Sequence, residues 1–235
     1  MKFENGELYH IYNQGNDRVR IFFSRENYYY FLNKIKLHVL PHADLLAWCL
    51  MPNHFHLMAY VHSLEVEIQE NNKANSFFPP AGFMPDDVFT DGNTKIRDLN
   101  NSIGLMLRSY TRAIHEQENK SGSLFRKKTK ANCLTSPDLQ TPSFYNTLYG
   151  SVINQHFPEM DYPQTCFNYI HNNPVKAKLV QRPEDWEFSS YRDHCGMRNG
   201  KLINRERVEE FGLSIELISE ALNSGNSIKS VMFRY

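Results

Sequence analysis

His54 and His56 stand one residue apart in the stretch MPNHFHLM, Met51 to Met58. Side chains two apart on an extended strand point to the same side, with Cα atoms about 6.5–7 Å apart. Two imidazoles in this arrangement converge on one point. Phe55 between them faces the other way, where it can anchor the strand in a core. Two neutral imidazoles on one ion leave coordination positions for oxygen ligands, as a catalytic metal requires. Related chemistries ask for more. A histidine-triad nucleotide hydrolase needs a third histidine where Met58 stands. A two-histidine phosphoesterase needs threonine where His56 stands and a second copy of the motif. A structural zinc site needs CxxC spacing, whereas Cys49, Cys133, Cys166 and Cys195 are scattered. Taken alone, such a pair is more often two partly buried histidines satisfied by backbone or water.

The elements around the pair read as follows. GELYHIYNQGN gives a first strand over Leu8–Asn13 with a polar exit turn. Ser24 is a candidate N-cap for a helix in which Phe31, Ile35 and Val39 share a buried face. HADLLAWCLM and HFHLMAYVH are two further strands joined at Pro52–Asn53, hence antiparallel neighbours. A helix capped at Asn93 or Thr94 is expected to run to about Gly122, with Ile96, Leu99, Ile103, Met106/Leu107, Tyr110 and Ile114 stepping by three or four. KANCLT suggests a last strand. CFNYIHNNPVKAKLV suggests a short helix halted by Pro174, and SIELISEALNSG a late helix with a glycine stop. Asn53 reads as a turn residue and His10 as a structural histidine on the first strand. The order of elements predicts an α+β fold: a ferredoxin-like antiparallel sheet with helices packed on one face, plus a C-terminal helical elaboration. The expected boundaries are a catalytic unit over 1–135, with an insert at about 63–93, and an extension over 136–235 packed on the same domain.

Composition narrows the class. Hydrophobic residues make up 41% of the 235 residues, enough for a sizeable core. No apolar run reaches the roughly 18 residues of a membrane span, and MKFENGELYH has no signal-peptide character. Unpaired cysteine spacing fits reduced thiols and a cytoplasmic protein. The net charge of zero speaks against a strongly basic nucleic-acid binder, but it hides a partition. Ser63–Asn93 carries six acids against one lysine, and Lys95–Lys130 carries nine Lys/Arg against three acids. A basic segment within a neutral protein can contact phosphates, since local potential decides.

AWCLMPNHFHLM resembles the active-site strand pair of the HUH single-tyrosine transposases, in the branch called REP-associated tyrosine transposases. YHIYNQGN, IFFSRENYYYFL, LMLRSYTRAIHEQENKSGSLFRKK, YIHNNPVKAKLV and FSSY resemble successive segments of that branch. The resemblance implies an enzyme that cuts and rejoins single-stranded or hairpin DNA through a 5′-phosphotyrosine. It implies Tyr110 as nucleophile and a divalent ion, Mg²⁺ or Mn²⁺, at His54 and His56. It gives Arg108, Arg112, Arg126, Lys127 and Lys128 to the DNA, no membrane partner, and a monomer or homodimer. Relatives carry an amide residue four or five positions after the tyrosine to complete the metal site. After Tyr110 those positions hold Ile114 and His115, which makes His115 the candidate third ligand. Two other readings compete: a nucleic-acid-binding module on the same scaffold with weakened chemistry, and a metal-dependent phosphohydrolase of nucleotides.

Overall fold

The computed structural model describes residues 1–69, 94–135, 144–147, 150–153 and 162–215. Its centre is a four-stranded antiparallel sheet in the order β2-β3-β1-β6. β1 is Leu8–Gln14, β2 Ala43–Met51, β3 His54–Val61 and β6 Lys130–Cys133. β2 and β3 are antiparallel neighbours around the tight Pro52–Asn53 turn, and β1 pairs with both β3 and β6. β4 (Glu65–Gln69) and β5 (Thr94–Asp98) form a separate antiparallel pair, as do β7 (Phe144–Thr147) and β8 (Gly150–Ile153). No helix among the described residues is long and apolar enough to cross a membrane.

α1 (Arg25–His38) and α2 (Leu99–Glu118) pack on one face of the sheet. α1 opens at Ser24, where Asn27 Oδ1 accepts the backbone N–H groups of Phe23 and Ser24, and it buries Phe31 and Ile35. α2 begins later than its apolar spacing predicts. Asp98 caps it by accepting the Asn101 N–H at 2.8 Å, and Ile96 lies in β5, exposed. Period alone could not find this boundary, because Ile96 continues the helical stripe on paper. The alternation of β1 and β3 sends Tyr9, Ile11, Phe55, Leu57 and Ala59 into the core shared with α1 and α2.

The opposite face is covered by the C-terminal elaboration. α3 (Tyr162–Lys176) brings Cys166, Phe167 and Ile170 against Leu8, Ala47, Cys49 and Met58. A register shift in β2 between Leu45 and Ala47 puts Leu46 and Ala47 on this same face, so Cys49 and Met51 then fall opposite His56 and His54. Pro174 does not halt α3 where its sequence suggests. The helix continues to Lys176 and stops as Lys178 turns left-handed (φ 57°). Two short helices, α4 (Tyr191–His194) and α5 (Arg205–Glu210), follow along β2. The 70–93 part of the expected insert and most of the expected late helix at 214–225 lie outside the described residues.

Candidate functional site

His54 and His56 project together from β3, on the face under α3, as their spacing predicts. Their ring centroids are 5.0 Å apart and the rings nearly perpendicular. Each ring has its Nδ1 engaged. His54 Nδ1 donates to Asn53 Oδ1 at 2.6 Å, so the turn residue also orients a histidine. His56 Nδ1 meets His10 Nε2 at 2.9 Å, from the neighbouring strand β1. On its other side, His56 Nε2 accepts from Asn173 Nδ2 at 3.1 Å. The same amide also acts on His54, opposing the fall in its pKa.

Asn173 comes from α3, and so does a tyrosine beside the cluster. Tyr169 lies one turn earlier on the same helix face, its ring centroid 5.4 Å from His56 and 6.0 Å from His10. A second tyrosine, Tyr12 of β1, stacks on His10 at 4.7 Å and lies 5.8 Å from His56. Lys176 stands over the Tyr169 ring at 5.1 Å and Lys130 over the Tyr12 ring at 5.7 Å. The site is thus two tyrosines and two lysines around a histidine cluster.

Burial sets the charge state of that cluster. It lowers the His54 pKa to about 4, against a small opposing effect of the Asn173 hydrogen bond. It lowers His10 to about 3, and pushes His56 well below the ordinary range, helped by its two histidine neighbours. All three rings are therefore neutral near pH 7, and with Nδ1 of His54 and His56 engaged, Nε2 is the nitrogen each of those two can offer a cation. Among the described residues no three His, Cys, Asp or Glu side chains gather as for a metal ion. A third protein donor here must come from an amide, and Asn173 supplies one: turned over, it offers Oδ1 between the two imidazoles. This donor set of two nitrogens and one oxygen fits a divalent ion whose remaining positions go to water and phosphate.

Two expected members are elsewhere. Tyr110 is fully buried between α2 and the Phe55 side of the sheet, among Phe22, Phe31 and Phe125. Its hydroxyl donates to the Ile21 carbonyl at 2.8 Å, and burial holds the phenol well above its ordinary pKa. The sheet separates it from the histidines, so it is a core residue. His115 lines a groove beside Arg112 on the outer side of α2 and does not join the histidine cluster. Arg108, Arg112, Arg126 and Lys127 line that same groove, and Lys128 is exposed nearby. None of the five flanks the cluster itself. Reasoning from sequence missed Tyr169, Asn173 and the orienting role of His10. The signal for the first two was present: in YIHNN an amide follows the tyrosine by four residues.

No protein-family model matches the chain, and no curated protein matches it. Among solved structures, a REP-associated tyrosine transposase bound to a REP hairpin matches over 83% of each chain, with 14% identity and a TM-score of 0.47. At that distance the likeness assigns no residue, and the site rests on this chain's own geometry.

Proposed function

We propose that this protein is a divalent-ion-dependent enzyme that cleaves and rejoins single-stranded DNA, with Tyr169 as the nucleophile. The observation that carries the reading is the pairing of Tyr169 and Asn173, one turn apart on α3, against His56. The motif resemblance supplies the reaction class, and Asn173 offers an amide side chain that neither Ile114 nor His115 provides.

His54, His56 and Asn173 would hold the ion, which when bound polarises a phosphate oxygen. The chain's own groups do the rest. Asn53 and His10 fix the two imidazoles so that Nε2 of each faces inward. Tyr169 presents its hydroxyl from a helix packed on the sheet, which limits the orientations it must lose on the way to reaction. Lys176 and Lys130 place positive charge beside the phosphodiester. In the step itself the Tyr169 oxygen bonds to phosphorus and the bond to the 3′ oxygen breaks. The phenolic proton ends on that released 3′-OH, and the DNA stays attached through its 5′ phosphate. Reversal by another 3′-OH rejoins a strand and frees Tyr169.

The test is a covalent-adduct assay. Wild-type protein, Mn²⁺ and single strands of randomised sequence should give a protein–DNA adduct that survives denaturation and maps by peptide mass to Tyr169. Tyr169→Phe should give none, while Tyr110→Phe should give it. An adduct on any other tyrosine, or turnover of small phosphoesters without an adduct, overturns the assignment.

A further inference from the structure

We propose that Lys176 is the proton carrier of the cleavage step, taking the phenolic proton of Tyr169 and giving it to the departing 3′ oxygen. This rests on the reading of Tyr169 as the nucleophile and adds a residue that the balance of that step requires.

A phenol that bonds to phosphorus must lose its proton, and the 3′ oxygen that leaves must gain one. The three imidazoles of the cluster have no acceptor free for either task. His54 Nδ1 donates to Asn53 Oδ1 at 2.6 Å, which leaves only the Nε2 reserved for the cation. His56 Nδ1 donates to His10 Nε2 at 2.9 Å, and its own Nε2 meets the Asn173 amide. His10, accepting at Nε2, carries its proton on Nδ1 and can only donate there.

A lysine is left. Lys176 follows Tyr169 by about two turns of α3, so the two side chains share one side of the helix. Its Nζ stands over the Tyr169 ring, 5.1 Å from the centroid. Lys130, the other lysine of the site, stands over Tyr12 instead. The backbone that carries Lys176 is anchored on both sides. The Ala177 N–H donates to the Asn173 carbonyl at 2.9 Å, and the Lys178 N–H to the Val175 carbonyl at 2.9 Å. From that fixed base a flexible four-carbon stem can bring the amine from the ring face to the hydroxyl at the ring's edge.

A proton carrier must be stable both with and without its proton. Lys176 is exposed and forms no ion pair among the described residues, so no carboxylate holds it as an ammonium. Desolvation lowers its pKa from the ordinary lysine value, which enlarges the neutral fraction able to accept. In the step, neutral Nζ takes the phenolic proton as the Tyr169 oxygen bonds to phosphorus. The bond from phosphorus to the 3′ oxygen breaks, its electron pair stays on that oxygen, and the Lys176 ammonium protonates it. Rejoining runs the same transfers backward, from the attacking 3′-OH through Lys176 to Tyr169.

Two measurements test this. Trace acetylation of the protein without metal or DNA, mapped by peptide mass across alkaline pH, gives the titration midpoint of Lys176. It should lie below the roughly 10.4 of a free lysine side chain. A midpoint at or above that value overturns the carrier and leaves the nucleophile assignment standing. The second measurement is the rate of adduct formation on a strand recovered from wild-type adducts. It is compared with the same strand carrying sulfur in place of the scissile 3′ oxygen. On the ordinary strand Lys176→Met should slow the reaction by about 10²–10⁴-fold. Lys176→Arg keeps the charge but cannot release a proton, and it should be as slow as Lys176→Met. Sulfur departs as a thiolate without needing a proton, so on that strand both defects should shrink by about tenfold or more. A wild-type rate in Lys176→Arg would mean that Lys176 supplies charge alone, and equal defects on both strands would mean that it only positions Tyr169. Either result overturns the carrier. No adduct with wild-type protein on any strand refutes the nucleophile, and the carrier falls with it.

Discussion

His10 Nε2 lies 2.9 Å from His56 Nδ1, with the two rings stacked at 5.0 Å. With Asn173 donating to Nε2 of His56, the Nδ1 proton of His56 must point at His10. His10 therefore fixes both the tautomer and the tilt of His56 from the side away from Asn173. Partners of this kind typically account for about 10–100-fold in metal affinity. His10→Ala should weaken Mn²⁺ binding by about that factor, measured by the electron paramagnetic resonance of free Mn²⁺. His10→Gln, which keeps an acceptor near the ring, should recover part of it. Equal affinity in all three proteins would leave His10 as packing alone.

Tyr110→Phe separates a buried phenol from a reactive one. The substitution keeps the ring contacts with Phe22 and Phe31 and removes only the donor to the Ile21 carbonyl. Leaving that carbonyl without its partner should cost about 1–3 kcal/mol. Urea unfolding of the two proteins measures it, and no loss would mean water replaces the hydroxyl.

Ser190 joins α3 to β2. Its Oγ accepts the Trp48 N–H at 2.9 Å, lies 3.2 Å from the Trp48 carbonyl, and meets His171 Nε2 at 2.8 Å. His171 is two residues from both Tyr169 and Asn173, so this link seats the part of α3 that carries them. Ser190→Ala should destabilise the fold by roughly 2–4 kcal/mol, since two buried groups lose a partner. Hydrogen exchange should accelerate in α3 before it does in α1. Uniform acceleration would show that α3 does not depend on the link.

Acid should unfold the metal-free protein early. Burial lowers His10 to about 3 and His38, His54 and His194 to about 4, with neighbouring charges adding to the effect at His38. In the unfolded chain each titrates near its ordinary value of about 6.5. The unfolded state then binds more protons than the folded one below that value, so stability is whole above about 6.5 and drains as pH falls toward 4. Urea unfolding between pH 7 and 4.5 should show stability falling with a slope of at least about four protons near pH 5, because His56 and His171, also lowered by burial, add to these four. A flat profile would mean that these rings are protonated in the folded state.

The parts of the fold that periodicity encodes were legible. Short apolar runs bounded by turn residues located β1, β2 and β3, and the histidine pair fell where spacing put it. The tyrosine was not legible from its helix. The stripe Ile103, Met106, Tyr110, Ile114 says which side of α2 is buried but not which face of the sheet buries it. Phe55 carries that information: it alternates with His54 and His56, and it is Phe55 that α1 and α2 cover. A helix packed on Phe55 cannot deliver a hydroxyl to the two histidines. α3 was hidden for a different reason, because Pro174 reads as a stop and the helix runs past it. The link from Ser190 to Trp48 spans 142 residues of chain, and no local pattern announces it.

The division of labour between the chain's two parts has a consequence during synthesis. The sheet is complete in sequence at Cys133, with both histidines and both of their Nδ1 partners already made. Tyr169 and Asn173 emerge afterwards. A chain emerging N-terminus first therefore passes through a stage in which the strands bearing His54 and His56 exist and α3 does not. On the proposed assignment, products ending before α3 would lack the nucleophile.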